Sequence, residues 1–349
     1  MLRPGTHGPS FVLRPATPPA PGTGSGTWRR ARRAVAVVVI LAAGAVIAPG
    51  TFVVAGEGRP SPTSSPSGFL PLALLPDTTT PSQTPSTLAT PSPAPGVLTP
   101  TVTAPSAILV DLDEGRVLFS KRSDHPIPIA SLVKVMTALL VLKHATLSET
   151  VTVSPRAAFT PPVDMGLRPG QRISVGALLY GLLLRSGNDA AVALAEHISG
   201  SVPAFLELMN REGRSLGLHH TWFASPNGLN DRGYSTARDL AKLTRVALSI
   251  PTFARIVDTD RFVLREGTGR ARVLWNINLF RGQYFGAMGV KTGFTTRAGQ
   301  CLIAAARRAG RTLIAVVLGE SAATHWQDAF GDAARLLDYG FESRGMPAA

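Results

Sequence analysis

The segment from Ile129 to Leu142, which reads IASLVKVMTALLVL, constrains this chain more than any other. From Leu132 onward every residue except Lys134 and Thr137 is apolar, and a helix that is apolar on all sides belongs in a protein core. An unpaired ammonium is costly to bury, and burial lowers the pKa of a lysine until its amine can act as a base. The sequence therefore predicts a buried helix that carries a chemically special lysine.

A hydroxyl accompanies this lysine. Ser131, Lys134 and Thr137 are spaced three residues apart, so they share one face of the predicted helix. A serine beside a basic amine is a candidate nucleophile. The pattern Ser-x-x-Lys is weak alone, because a chain of 349 residues contains roughly one match by chance. The interpretation therefore depends on further motifs.

The first 104 residues differ in composition from the rest of the chain. They hold seven arginines, two acidic residues and no lysine, so the net charge of +13 arises partly from this region. A basic balance suits anionic surfaces such as membranes and cell-wall polymers. Nucleic acid is not expected as a partner, because the chain has no basic helix and no interleaving of aromatic and basic residues.

Three segments precede the predicted folded domain. Residues 1–33 carry six arginines among many Pro, Gly and Thr residues and are expected to be disordered and cytoplasmic. Residues 34–56 contain no charge and are predicted to form a transmembrane helix or a secretory signal. Residues 57–104, with eleven prolines and seventeen serines or threonines, are predicted to form a linker. The remainder is expected outside the cytoplasm, anchored to the cell membrane, or secreted if the segment is cleaved.

Residues 105–342 are predicted to form the folded domain, with residues 343–349 as a short tail. Two strand patterns flank the turn signal Asp113-Glu114-Gly115, and the central helix follows them. Helical patterns cover residues 175–184, 190–198, 202–216 and 237–249; strand patterns cover 262–265, 287–290, 300–306 and 312–318; and a last helix covers 323–339. This order indicates an α/β domain of the α+β kind, with a largely antiparallel sheet.

Two more motifs follow Ser131 and Lys134. Ser186-Gly187-Asn188 lies between two helical patterns, and Lys291-Thr292-Gly293 lies at the end of a short strand. A Lys-Thr-Gly triplet occurs by chance in fewer than about one in ten chains of this length. The ordered set of three is typical of penicillin-binding proteins and class A β-lactamases, in which the central motif reads Ser-Asp-Asn.

With these motifs the sequence resembles the serine-type D-alanyl-D-alanine carboxypeptidases, which are low-molecular-weight penicillin-binding proteins. The resemblance extends over residues 104–341 and includes FASPNGL at 223–229, YSTARDL at 234–240, VKTGFT at 290–295 and LLDYGF at 336–341. It implies the transpeptidase fold of penicillin-binding proteins and β-lactamases, with a helical subdomain. Two positions depart from the family pattern: Ile129 replaces a common proline, and Ala329 lies near the place of an arginine.

The resemblance also implies a role for each motif residue. Ser131 attacks the D-Ala-D-Ala bond, Lys134 takes its proton, and Ser186 passes that proton toward the leaving amine. The resemblance further implies that Asn188 holds the acyl-side amide, that Lys291 and Thr292 bind the terminal carboxylate beside Gly293, and that the backbone N–H groups of Ser131 and Phe294 form the oxyanion hole. Peptidoglycan stem peptides are the expected substrates and β-lactams the expected covalent inhibitors. No metal or cofactor is required.

Three alternatives remain open. A class A β-lactamase needs a Glu-x-x-x-Asn pattern, which is absent between Asn188 and Lys291. A peptidoglycan endopeptidase or transpeptidase shares every site residue. A non-catalytic wall-binding module would tolerate loss of Ser131 or Lys134, and both are present. The single cysteine, Cys301, lies in an apolar run and is interpreted as a core thiol.

Overall fold

The computed structural model describes residues 98–161, 163–265, 271–324 and 326–343. Its strands are β1 (Ser106–Asp111), β2 (Arg116–Lys121), β3 (Thr150–Thr152), β4 (Arg172–Ser174), β5 (Arg261–Leu264), β6 (Arg272–Trp275), β7 (Ala287–Thr295), β8 (Gly299–Arg308) and β9 (Arg311–Glu320). Its helices are α1 (Lys134–His144), α2 (Pro155–Ala158), α3 (Val175–Leu184), α4 (Asn188–Ser199), α5 (Val202–Ser215), α6 (Ala237–Leu248), α7 (Pro251–Val257), α8 (Phe280–Gln283) and α9 (Gln327–Glu342). The predicted sequence of strands, helical block, strand meander and closing helix is confirmed.

Five strands form one antiparallel sheet in the order β2-β1-β9-β8-β7. The turn between β8 and β9 places Ala309 and Gly310 at φ 46° and 79°, because positive φ values match the twist of a tight hairpin. β7 lies at one edge, so one side of its backbone has no strand partner within the described chain. The strand pairs β3–β4 and β5–β6 form separate ribbons.

Helices pack on both faces of the sheet. Side chains alternate along β1: Ile108 and Val110 join the core of the helical block, whereas Ala107 and Leu109 join the core beneath α9. Helix α1 lies inside the larger core, and its residues from Lys134 to Val141 are all buried. The burial confirms the location predicted from its apolar sequence.

Residues of two motifs lie on elements other than the predicted ones. Ser131 belongs to a 3-10 turn, Ala130–Val133, and the α-helix begins only at Lys134. Lys291-Thr292-Gly293 lies within β7 and not after its end, since this strand pairs with β8 as far as Thr295. Pairing with a long partner strand therefore overrides the local signal of Gly293, a residue type that is depleted in strands.

The sequence patterns miss the short elements between the helical block and the sheet. Strand β6 pairs with the predicted β5, while α7 and α8 span seven and four residues. Elements this short contain too few turns for an apolar period to emerge. The last helix also begins at Gln327, four residues later than predicted, and ends at Glu342.

Packing begins before the predicted domain boundary at residue 105. Ala104 is fully buried, and its N–H donates to Asp332 at 2.8 Å. The Thr103 hydroxyl donates to Glu320 at 2.8 Å, and Val102 is also buried. The last three residues of the predicted linker therefore belong to the folded unit.

The predicted segments 1–33 and 34–56 lie outside the described residues, as do most of the predicted linker and all but the first residue of the predicted tail. Within the described ranges, no helix combines the length and the apolar character that crossing a bilayer requires.

Candidate active site

The candidate nucleophile lies in a turn against which two glycines pack closely. Ala130, directly before Ser131, has a φ of 47°. Gly228, at φ 89°, lies so near that an added Cβ would be 2.1 Å from the Ala130 carbonyl oxygen. An added Cβ on Gly293 would lie 2.9 Å from the Ser131 nitrogen. Side chains larger than glycine at these two positions would displace the turn that presents Ser131.

The Lys134 amine contacts the Ser131 hydroxyl directly. Its Nζ lies 2.9 Å from Ser131 Oγ and donates to Asn188 Oδ1 at 2.8 Å and to the main-chain oxygen of Asn227. Lys134 is fully buried, whereas Ser131 is partly accessible. A neutral amine has two N–H groups and one lone pair. Asn188 and Asn227 can take both N–H groups, which leaves the lone pair for the Ser131 proton.

The electrostatic surroundings favour that neutral amine. Burial lowers the pKa of Lys134 well below its ordinary value, and the positive charge of Lys291 lowers it further. The carboxylate of Asp189 acts in the opposite direction and raises this pKa. The dominant effect of burial gives Lys134 the properties of a general base.

The second motif lies where α3 gives way to α4. Ser186 has a φ of 59° and is buried at 5% exposure, and Asn188 is the first residue of α4. The Asn188 amide also donates to the Pro161 carbonyl at 3.0 Å. Both ends of this amide are therefore engaged by the protein, and each keeps one further hydrogen-bonding position for a substrate.

The third motif approaches the nucleophile from the edge strand. Lys291 and Gly293 are two residues apart on β7, so their side-chain positions share the face that meets the Ser131 turn. Lys291 is 1% exposed, and its Nζ donates to the Thr292 carbonyl at 2.7 Å. Burial lowers the pKa of Lys291 to about 7. Thr292 is buried, whereas the neighbouring Phe294 is half-exposed.

Sequence reasoning missed two contributors to the site. Asn227 supplies the carbonyl that holds Lys134, although its segment FASPNGL is part of the family resemblance. Asp189 is buried and accepts backbone N–H groups from Met165, Leu167 and Ala190. The only sequence feature that could have identified Asp189 as part of the site is its position directly after Asn188.

The described residues also include a lone thiol and scattered His, Asp and Glu side chains. The described residues contain no cluster of three or more His, Cys, Asp or Glu side chains that could hold a metal ion. Cys301 is buried on β8, and burial raises the pKa of its thiol to about 12. An unionised buried thiol of this kind is a core residue, as its apolar sequence context predicts.

Comparison with known proteins identifies relatives of this chain. A family profile described as D-alanyl-D-alanine carboxypeptidase matches residues 93–322. The D-alanyl-D-alanine carboxypeptidase DacF of Bacillus subtilis is 36% identical over 244 residues, which cover 68% of this chain and 62% of that protein. The chain thus spans about three fifths of that relative's length.

Two solved structures are similar in fold. The D-alanyl-D-alanine carboxypeptidase of Mycobacterium tuberculosis H37Rv superimposes with a TM-score of 0.67 at 33% identity, covering 72% of this chain and 95% of that one. The DD-transpeptidase of Streptomyces K15 gives 0.66 at 34% identity, covering 70% and 100%. The predicted fold class is therefore confirmed.

Proposed function

Because the chain belongs to the D-alanyl-D-alanine carboxypeptidase family, we propose that it removes the terminal D-alanine from peptidoglycan stem peptides through an acyl-enzyme on Ser131. The observation that carries this proposal is the 2.9 Å contact between Lys134 Nζ and Ser131 Oγ, made by a fully buried amine of lowered pKa. The lowered pKa favours the neutral amine, and a neutral amine beside an accessible hydroxyl can act as its general base.

Acylation follows from this contact. The Ser131 hydroxyl gives its proton to the Lys134 lone pair while Oγ forms a bond to the carbonyl carbon of the penultimate D-alanine. The resulting oxyanion lies near the backbone N–H groups of Ser131 and Phe294, and such donors contribute a few kcal/mol each. The C–N bond then breaks, Ser186 relays a proton to the departing amine, and D-alanine leaves. Water hydrolyses the ester and restores Ser131.

Edge strand β7 binds the substrate in this proposal. An extended stem peptide aligns along the free side of β7, and Gly293 permits the close approach. The terminal carboxylate accepts hydrogen bonds from the Lys291 ammonium and the Thr292 hydroxyl. Asn188 offers its remaining amide position to the acyl side of the substrate.

β-Lactams test the assignment of the nucleophile. Intact mass spectrometry of the wild type with penicillin is expected to show one acyl adduct, which peptide mapping places on Ser131. Ser131→Ala should give none. The adduct should be long-lived, because the sequence between Asn188 and Lys291 lacks the glutamate pattern of class A β-lactamases. An adduct on another residue would refute the assignment, and rapid turnover would favour a β-lactamase.

The second candidate activity is transpeptidation or endopeptidase cleavage. The similarity to the Streptomyces K15 DD-transpeptidase favours it, because the same acyl-enzyme can react with an amine instead of water. Pentapeptide incubated with and without an acceptor amine distinguishes the outcomes by mass. Release of free tetrapeptide in both cases supports the carboxypeptidase. A cross-linked product that replaces it supports the transpeptidase.

A further inference from the structure

The polar stripe predicted on the central helix has a third member, Thr137, which takes no part in the chemistry described above. Thr137 is fully buried on α1, and its hydroxyl donates to the Pro226 carbonyl at 2.7 Å. A threonine in a helix can donate to a carbonyl of the preceding turn, so the helix itself does not require this distant acceptor. Valine would fill nearly the same space without a hydroxyl to satisfy. The hydroxyl thus ties α1 to a segment that lies 89 positions later in the chain.

Pro226 and Asn227 present consecutive main-chain carbonyls to this stripe. The first carbonyl accepts from Thr137, and the second accepts from Lys134. The next residue, Gly228, fits closely against the turn that precedes α1. Consecutive Cα atoms lie only about 3.8 Å apart, so the position of one carbonyl restricts the position of the next. The Thr137 hydroxyl therefore helps to determine where the Asn227 oxygen lies.

The position of the Asn227 oxygen matters because two groups of the site compete for it. This oxygen accepts from the Lys134 amine and lies 3.5 Å from Ser131 Oγ, the outer limit of a hydrogen bond. If the segment moved toward Ser131, its carbonyl would accept the hydrogen bond that the hydroxyl otherwise gives to Lys134. The nucleophile would then face a carbonyl, which is too weak a base to take its proton.

The same segment is also fastened to the edge strand. Thr295 is the last residue of β7, and its hydroxyl donates to the Asp231 carboxylate at 2.7 Å. Between the two attachments, Ser225 Oγ accepts the N–H of Gly228 at 2.9 Å and holds the turn together. Residues 225–231, here called the carbonyl loop, are therefore bound to α1 near one end and to β7 at the other.

The contact with Asn227 also affects how basic the Lys134 amine is. A carbonyl accepts a stronger hydrogen bond from an ammonium than from a neutral amine, so this contact favours the protonated form and raises the pKa of Lys134. Burial and the charge of Lys291 lower this pKa, while the Asp189 carboxylate raises it. An amine whose pKa is too low is a weak base, so loss of the carbonyl would slow transfer of the Ser131 proton.

We propose that Thr137 and Thr295 are positioning residues for acylation, since they hold the carbonyl loop where its backbone meets Lys134. The inference rests on the proposed function, because Lys134 is the base for the Ser131 hydroxyl in that mechanism. Neither threonine is a catalytic residue. Both act through the loop, which keeps the Asn227 carbonyl on the amine and away from the nucleophile.

Removal of one buried hydroxyl from the full-length protein tests the inference. Thr137→Val should lower the maximal rate of acylation by penicillin about two- to tenfold, the equivalent of one hydrogen bond, and leave the half-saturating penicillin concentration unchanged. Thr137→Ser keeps the hydroxyl and should restore the rate. Thr244→Val is the matched control, because Thr244 is equally buried on α6 but its hydroxyl has no partner in the described chain. This control should acylate normally.

The pKa of Lys134 provides a readout that requires no catalysis. The chain contains five lysines, so the ¹³Cε resonance of each can be assigned in the labelled full-length protein from variants that lack a single lysine. The pKa of Lys134 should be lower in Thr137→Val than in the wild type, because the ammonium loses its carbonyl acceptor. It should be unchanged in Thr137→Ser and in Thr244→Val. A loss of stability alone would not shift this pKa.

A second variant keeps the inference testable if circular dichroism shows that Thr137→Val does not fold. Thr295→Val releases the other end of the carbonyl loop without a change of charge and should lower the Lys134 pKa in the same direction. A wild-type protein that penicillin does not acylate would refute the proposed function alone, because the pKa comparison still decides the inference. A Lys134 pKa equal to that of the wild type in every variant that folds would overturn the inference.

Discussion

Two buried lysines lie in this site, and the proposed mechanism needs one of them neutral and the other charged. For Lys134, loss of the charge creates the base that the reaction requires. For Lys291, loss of the charge removes the cation that the carboxylate requires. One physical cause, desolvation, therefore supports one step and limits another, and both consequences can be measured residue by residue.

Replacement of the base is the sharpest test. Lys134→Ala should slow acylation by penicillin by about 10²- to 10⁴-fold, the usual effect of removing a general base. The fold should persist, because alanine suits a buried helix. Lys143→Ala, near the end of the same helix and exposed, is the control and should acylate normally. Stopped-flow acylation and circular dichroism give the two readouts. Normal acylation by a folded Lys134→Ala protein would refute its role.

The pH dependence follows from Lys291. Its pKa in the folded enzyme is lowered to about 7, so the ammonium is present below that pH and is lost as the pH rises through it. We therefore expect kcat/KM for substrates with a free terminal carboxylate to fall above about pH 7. The same fall should be absent for C-terminally amidated substrates and in Lys291→Ala. This variant should lose more activity on substrates with a free terminal carboxylate than on amidated ones. A fall of equal size on amidated substrate would assign it to another group.

At the scale of the elements, the start of α4 connects the site to the loop between α2 and β4. The Asp189 carboxylate accepts N–H groups from both Met165 and Leu167, while the Asn188 N–H donates to Val163. Helix α4 therefore fixes the 163–167 segment, while the Asn188 amide that accepts from Lys134 donates to Pro161 just before that segment. The residues at the start of α4 therefore hold the neighbouring loop in place as well as contacting Lys134.

Asp189→Asn tests this support. The new amide directs a donor toward a backbone donor, so unfolding free energy should fall by about 1–3 kcal/mol and acylation should slow. Asp328→Asn, an identical change in the first turn of α9, should alter neither quantity appreciably. Urea unfolding and acylation kinetics measure both effects. Unchanged stability in Asp189→Asn would mean that the three backbone contacts contribute little.

The elements that the sequence predicts well are those with a long, repeated pattern. Helix α1 is apolar throughout, and β8 and β9 are long apolar runs joined by Ala309-Gly310, so local chemistry and tertiary packing agree. The elements that it predicts poorly depend on partners distant in the chain. The 3-10 turn at Ser131 is shaped by Gly228 and Gly293, and β7 extends because β8 pairs with it. Likewise, nothing local to Asn227 indicates that its carbonyl meets Lys134.

For the whole molecule, the connection to the membrane is the main prediction. We expect residues 34–56 to remain as an anchor with the catalytic domain outside, because 23 helical residues span roughly 35 Å and a hydrocarbon core measures about 30 Å. Peptide mapping of the N-terminus in protein from its native membrane decides the point. A mature N-terminus near Glu57, with activity in the soluble fraction, would instead identify a secreted enzyme.

The vacant side of β7 has a consequence beyond substrate binding. An exposed strand edge is a template for any extended chain, including the same strand of another molecule or an unfolded neighbour. At high concentration the enzyme therefore risks sheet-to-sheet aggregation at the very place where it must stay open. Burial opposes such self-pairing, since the β7 residues from Gly289 to Gly293 are all buried and Phe294 alone on this strand is exposed. Solubility and substrate recognition thus depend on the same few backbone and side-chain groups.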